Sequence, residues 1–203
     1  MSKKIASTDY PIQELLKERW SPYAFQDRPV SQADLCSLFE AARWTASSYN
    51  EQPWSYLVAT KENPEHFQQL LSCLDEGNQV WAKKAPVLAL GITNFKFTRN
   101  NKDNRAAIHD LGAATNNLAV EAMVLGLYVH QMIGILPDKA REQFDIPENS
   151  EAWTGIAIGY LGDPITLPDA LKERDLTPRQ RKPIAQFVFS QKWGNPSPLV
   201  SKP

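Results

Sequence analysis

The sequence predicts an α+β domain, on three observations. Helical and strand-like segments are interspersed without the strict alternation of a doubly wound parallel sheet. One long segment, Arg105 to Leu125, is apolar on most sides of a helix and so belongs inside a layered structure. One short run, Ala85 to Ile92, is apolar almost without interruption and suits a strand covered on both faces. The 203 residues, 42% hydrophobic and 22% charged, suffice for one domain with a substantial core or two small ones.

Taken in order, a first helix is predicted over Ile12 to Arg19, ending before Ser21-Pro22, where proline disfavours helix at the preceding residue. Ser31 can cap a second helix, with Asp34 three residues on and Leu35, Leu38, Phe39 and Ala42 forming its buried face as far as Ala46. There Ser47, Ser48, Tyr49 and Asn50 compete for backbone hydrogen bonds. Ser55 to Thr60 reads as a strand. Asn63-Pro64 opens a helix through Leu74, with Phe67, Leu70, Leu71 and Leu74 on one side. The strand over Ala85 to Ile92 precedes the long helix, which Gly126 stops in the usual left-handed cap position. Strands are predicted at Tyr128 to Met132 and Thr154 to Tyr160, separated by a helix starting near Pro137.

After Gly162 the texture changes. Seven of the fifteen prolines lie between Pro164 and Pro203, with aromatic residues at Phe187, Phe189 and Trp193. Such a segment cannot build a core of its own, yet it is too aromatic for a solvated tail. Residues 1–163 are therefore expected to form the domain. Residues 164–203 are expected to be an extension draped over that domain or over a second subunit.

Several function classes are disfavoured. A net charge of −1 gives no global field for nucleic acid or an anionic membrane. No apolar run reaches the length of a signal peptide or a membrane span, so the expected compartment is cytosolic. Cys36 and Cys73 lack paired spacing, which argues against a disulfide framework or a thiolate zinc site. His66, His109 and His130 stand apart, without zinc spacing, and read as surface or structural histidines. There is no P-loop, no GxGxxG after a strand and no GxSxG elbow.

Three polar clusters remain: Arg19-Trp20-Ser21 followed by Tyr23, the loop Ser47 to Trp54, and Arg179-Gln180-Arg181-Lys182. Each has an ordinary explanation, as a charge at a helix C-terminus, a turn and a solvated basic patch respectively. Trp44, Trp54 and Trp81 read as core residues. In an extended segment Arg179 and Arg181 point the same way, and each can make a bidentate contact with a phosphate.

Taken together, these clusters resemble the FMN-dependent nitroreductases over nearly the whole chain. Arg19-Trp20-Ser21-Pro22-Tyr23-Ala24-Phe25 is similar to that family's Arg-x-Ser-x-Arg-x-Phe element. Ser47-Ser48-Tyr49-Asn50-Glu51-Gln52-Pro53-Trp54 resembles its Pro-Ser-x-x-Asn-x-Gln-Pro-Trp loop, the most specific of the matches. Asp110-Leu111-Gly112 through Gly126-Leu127 is similar to its central helix, and Gly159-Tyr160 fits near the end of a strand. Two departures stand out: Tyr23 replaces a second arginine, and Ala46 replaces the proline before the serine pair.

The resemblance implies a three-layer α/β/α domain with a mostly antiparallel central sheet, working as a homodimer with FMN sites at the interface. It implies that Arg19, Ser21, Arg179 and Arg181 hold the FMN phosphate, with the N- and C-terminal sets able to come from different subunits. Trp20 and Tyr23 belong to the same element. Ser48, Asn50, Gln52 and Asn78 are implied at the polar edge of the flavin ring or its pocket, and a backbone N–H near Ile133-Gly134 at flavin N5. Asn50 and Gln52 can both donate and accept, as that edge requires. The implied reaction is ping-pong, with NADPH or NADH as reductant and a nitroaromatic, quinone or related small molecule as acceptor. No catalytic side chain is needed, because the hydride chemistry belongs to the flavin. Two other functions remain open: a flavin-binding or flavin-degrading relative, and a non-catalytic dimeric interaction module.

Overall fold

A computed structural model describes residues 4–200; Pro203, the last of the C-terminal prolines counted above, lies outside the described residues, as do Met1 to Lys3. Four strands make one sheet in the order β1-β2-β4-β3: β1 (Trp54–Thr60), β2 (Val87–Asn94), β3 (Tyr128–Met132) and β4 (Ser150–Gly159). Every neighbouring pair is antiparallel. Seven α-helices accompany it: α1 (Glu14–Glu18), α2 (Gln32–Arg43), α3 (Pro64–Leu71), α4 (Glu76–Ala82), α5 (Ala107–Val124), α6 (Pro137–Phe144) and α7 (Asp169–Leu176). The domain is α+β, with the sheet between two helical layers.

The layering follows from the twofold alternation of a strand. On β2, Leu88, Leu90 and Ile92 enter a core shared with Phe67, Leu70 and Leu71 of α3, Trp81 of α4 and Ala140 of α6. Val87 and Ala89 enter the opposite core with Leu38 and Ala42 of α2 and Ala114, Leu118 and Ala122 of α5. The strand is therefore buried on both faces, although its neighbours are antiparallel. Between Gly91 and Ile92 the pairing with β4 shifts by one, leaving Trp153 as the extra residue of a bulge. A side chain at Gly91 would meet Thr154 at 2.8 Å, so only glycine lets the strands close there.

Local chemistry sets the element boundaries. Ser31 caps α2 by accepting from the Asp34 N–H at 3.0 Å, and Asn63 caps α3 through the His66 N–H at 3.2 Å. The helix expected to run through Leu74 stops at Leu71, and a separate helix, α4, begins after Asp75, whose Oδ1 accepts from Asn78 N–H at 2.7 Å. β4 starts at Ser150, four residues before the expected Thr154, because the bulge at Trp153 breaks the alternation a sequence reader follows. Trp81 is a core residue, but Trp44 is 77% exposed at the end of α2, its indole donating to Glu40 Oε1 at 2.7 Å.

Both ends of the domain meet at one edge of this sandwich. Gln26 N–H donates to Tyr160 O, Gly162 N–H donates to Ala24 O, and Phe25 bridges Leu161. Among the described residues no helix is long and apolar enough to cross a membrane.

Candidate cofactor site

The segment after α1 leads into the first group of candidate residues. Trp20 is buried, edge-on to Tyr128 with ring centroids 6.1 Å apart, so its side chain is structural and only its backbone is available to a ligand. Tyr23 also turns inward. It lies edge-on to Trp81 at 5.1 Å and tilted against His130 at 4.7 Å. The tyrosine in the arginine position thus serves the core. His130, tilted against Trp81 at 4.4 Å, has Nδ1 2.9 Å from the Pro22 carbonyl. Burial, and then the charge of Arg19, hold it below the ordinary histidine value against the raising pull of that carbonyl.

Arg19 and Ser21 point elsewhere, Arg19 Nη1 donating to Ser21 Oγ at 3.3 Å. The C-terminal extension folds back on this segment within the same chain: Arg179 donates through Nη1 to Arg19 O and through Nη2 to Lys17 O. One chain therefore brings together both basic sets. Arg19, Arg179, Arg181 and Lys182 line a cavity of about 850 Å³, walled otherwise by Tyr10, Ile12, Leu16, Ile184 and Phe187. Asp9 is its one carboxylate among the described residues. Burial lowers the Arg19 pKa, and the charges of Arg179 and Arg181 lower it further. Three guanidinium groups are held close enough to repel one another in a partly dry site, and the Arg179 Nε–H is buried without a hydrogen-bond partner. A dianion with several acceptor oxygens fits this arrangement.

The polar loop forms a second group at the N-terminus of α5. Ser48 N–H donates to Oδ2 of Asp110 at 3.0 Å, a carboxylate only 3% exposed. Gln52 N–H donates to Ser47 Oγ at 3.0 Å, and the Gln52 side chain to Asn50 O at 3.0 Å. Glu51 Oε1 accepts from Thr98 N–H at 2.8 Å, tying the loop to the segment beyond β2. Tyr49, Asn50 and Gln52 all have φ between 52° and 57°, the left-handed region that glycine prefers. Three such residues in four positions store strain and leave Asn50 and Gln52 exposed, a pattern that marks functional loops.

The third group is a turn after β3. Ile133 is 71% exposed, and the Gly134 carbonyl accepts from both Asp75 N–H at 3.0 Å and Asn78 Nδ2 at 2.9 Å. Asn78 Oδ1 accepts from the Trp81 indole at 3.2 Å. Both ends of the Asn78 amide are thus engaged inside the chain, which makes it the support of the turn. A Cβ on Gly134 would fall 1.9 Å from Asp75 Oδ2 and 2.6 Å from Asn78 Nδ2. Only glycine fits.

Sequence reasoning missed Asp75 and Asp175, because a lone aspartate carries no pattern, and named Asp110 only as the start of the central-helix element, without its role of bracing the Ser48 loop. No group of three or more His, Cys, Asp or Glu suited to a metal occurs among the described residues.

A model of the nitroreductase family matches residues 16–160. The chain belongs to the nitroreductase family. The match takes in Arg19, the Ser48 to Gln52 loop, Asn78 and the Gly134 turn, whereas Arg179 and Arg181 lie beyond it. This nitroreductase-family chain is similar to the crystal structure of an oxidoreductase containing FMN, at a TM-score of 0.89 and 36% identity over 96% of this chain and 98% of that one. It is 34% identical over 132 residues to the uncharacterized 15.4 kDa protein of the ask 5' region of Mycolicibacterium smegmatis, covering 65% of this chain and 87% of that protein. The major NAD(P)H-flavin oxidoreductase of Aliivibrio fischeri is 29% identical over 96 residues, 46% of this chain and 44% of that protein.

Proposed function

We propose that this nitroreductase-family protein is an FMN-dependent oxidoreductase that uses NADPH or NADH to reduce a small-molecule acceptor. The convergence of Arg19, Arg179 and Arg181 on one cavity, with a single carboxylate in its lining, carries the proposal. Repulsion among these cations is relieved by a phosphate dianion, and the Ser21 hydroxyl beside Arg19 adds a neutral donor. The family match and the FMN-containing neighbour support the same cofactor.

FMN, when bound, would supply the redox chemistry, hydride transfer between NADPH or NADH and a nitroaromatic, quinone or related acceptor in a ping-pong order. The chain's own residues bind and orient. The cation cluster holds the phosphate. Asn50 and Gln52 offer amides to the polar edge of the ring, with Ser48 anchoring their loop to Asp110. The Ile133-Gly134 turn, held by Asn78 and Asp75, would supply the backbone N–H implied at the flavin ring. Trp20 and Tyr23 act indirectly, as the buried wall that sets the path of Arg19 and Ser21.

The working unit is proposed to be a homodimer. Val124, at the end of α5, is 59% exposed, and Trp193 and Leu199 of the extension are almost fully exposed. Apolar surface of this kind marks a protein interface. Of the expected extension 164–203, the described residues 164–200 complete the phosphate site and reach toward the partner. The unpaired cysteines, Cys36 exposed and Cys73 buried, agree with a cytosolic location.

An absorption spectrum of the purified protein, before and after anaerobic addition of NADPH, tests this directly. Oxidised-flavin bands that bleach on addition are expected. Flavin bands that persist with both NADPH and NADH would leave a flavin-binding or flavin-degrading protein. A colourless protein that does not take up added FMN would reduce the likeness to the fold and favour a non-catalytic module.

A further inference from the structure

Asp175, on α7, is 2% exposed, and nothing in the proposed chemistry uses it. Its Oδ1 accepts from the Tyr23 N–H at 2.8 Å, while Oδ2 is buried without a hydrogen-bond partner. Burial pushes the carboxyl up from its ordinary value, against the lowering pull of the Tyr23 and Ala24 N–H groups and of Lys4. Lys4 is committed elsewhere, donating to Arg174 O at 3.2 Å and lying 4.5 Å above the Trp20 ring. A buried carboxylate with one oxygen unsatisfied is unfavourable for stability.

Its position relates it to the cation cluster. Four residues after Asp175, Arg179 donates to Lys17 O and Arg19 O. The extension thus grips the N-terminal segment twice, by Asp175 on one side of Ser21 and by Arg179 on the other. Arg19 and Ser21 lie within the span so gripped, and Arg181 follows directly after the second grip. Each contact joins residues about 150 or more apart in sequence, separated by 152 for Asp175 and 160 for Arg179. No local structure can set this alignment.

We propose that Asp175 is a positioning residue for phosphate recognition: by pinning α7 to the Tyr23 backbone it sets Arg179 and Arg181 against Arg19. The proposal rests on the FMN assignment above. It differs from a merely structural role in what it predicts, because a structural defect weakens every flavin alike, whereas a misplaced cation cluster weakens only those carrying phosphate.

The experiment titrates the full-length apoprotein with FMN and with riboflavin, which lacks the phosphate, by flavin fluorescence quenching. Wild type, Asp175→Ala and Asp175→Asn are compared, with Arg181→Ala as the direct-contact reference. Wild type is expected to prefer FMN. Asp175→Ala should lower the FMN-to-riboflavin affinity ratio about tenfold, as losing one charge-assisted contact does in Arg181→Ala. Asp175→Asn keeps an oxygen for the Tyr23 N–H and should retain most of the preference. A ratio for Asp175→Ala within twofold of wild type overturns the proposal. If that variant does not fold, Asp175→Glu, whose extra methylene displaces the acceptor, is read in its place, and an unchanged ratio there overturns it equally. A wild type that binds neither flavin, or both equally, would instead remove the phosphate site on which the proposal stands.

Discussion

Replacing Gly134 by alanine should damage the turn after β3 out of proportion to the single methyl added. The glycine's φ lies outside the left-handed region, so the cost is steric and not conformational. The new Cβ would lie 1.9 Å from Asp75 Oδ2, 2.7 Å from Asp75 Cγ and 2.6 Å from Asn78 Nδ2. Asp75 cannot simply rotate away, because its other oxygen caps α4 through the Asn78 N–H at 2.7 Å. Moving it forfeits a cap of about 1 kcal/mol. Moving Asn78 forfeits its bond to the Gly134 carbonyl, about another 1 kcal/mol. A loss of roughly 2–3 kcal/mol in a chain of this size corresponds to a fall in Tm of about 4–12 °C. Gly77→Ala is the matched control: it sits in the same capped helix, and its Cβ would meet only Asp75 Oδ1, at an ordinary 3.7 Å. That variant should hold or gain up to about 1 kcal/mol from helix propensity. Thermal unfolding of the apoprotein by circular dichroism compares the two. If Gly134→Ala melts within about 2 °C of wild type, Asp75 and Asn78 do not brace the turn as described.

Two further outcomes follow from burial. His130 titrates below the usual histidine value of 6.5 in the folded state, so the stability it contributes is present above that pH and is lost as the pH falls below it. Tm should therefore decline from pH 7.5 to 5.5 less steeply in His130→Phe, which keeps an aromatic ring against Trp81; identical slopes in the two proteins would contradict this. Val124→Asp should weaken the proposed dimer. Each subunit would forgo about 1.5–3 kcal/mol of apolar burial, counted twice across a twofold axis. Light scattering over a dilution series reads the dimer Kd, and an unchanged value would move the interface away from this face of α5.

The parts of this fold most legible in sequence are those governed by periodicity and caps. Ser31, Asn63-Pro64 and Gly126 mark their boundaries within a few residues, and Tyr128 to Met132 is a strand as expected. What escaped depends on contacts between distant residues. α4 is short, contains Gly77, a poor helix former, and follows so closely on α3 that the two read as one helix through Leu74. In the candidate site, arginines and amides could be named from residue type. The inward turn of Tyr23 and the internal engagement of Asn78 could not, since the first depends on Trp81 and the second on the Gly134 carbonyl, each from a distant part of the chain.

The grip between Lys17–Tyr23 and Asp175–Arg179 has a consequence for the order of assembly during synthesis. A ribosome that has released Arg19 must add 160 more residues before Arg179 exists to meet it. The sheet and both helical layers can form from residues up to Gly159 while the cation cluster is still half built. By then Gly162 is already tied to Ala24, so the loop left to close, from there to Asp175 and Arg179, is short and its entropic cost modest. A ligand that binds only the closed arrangement then favours closure by mass action. Cofactor supply would in this way set the fraction of newly made chains whose two ends are latched.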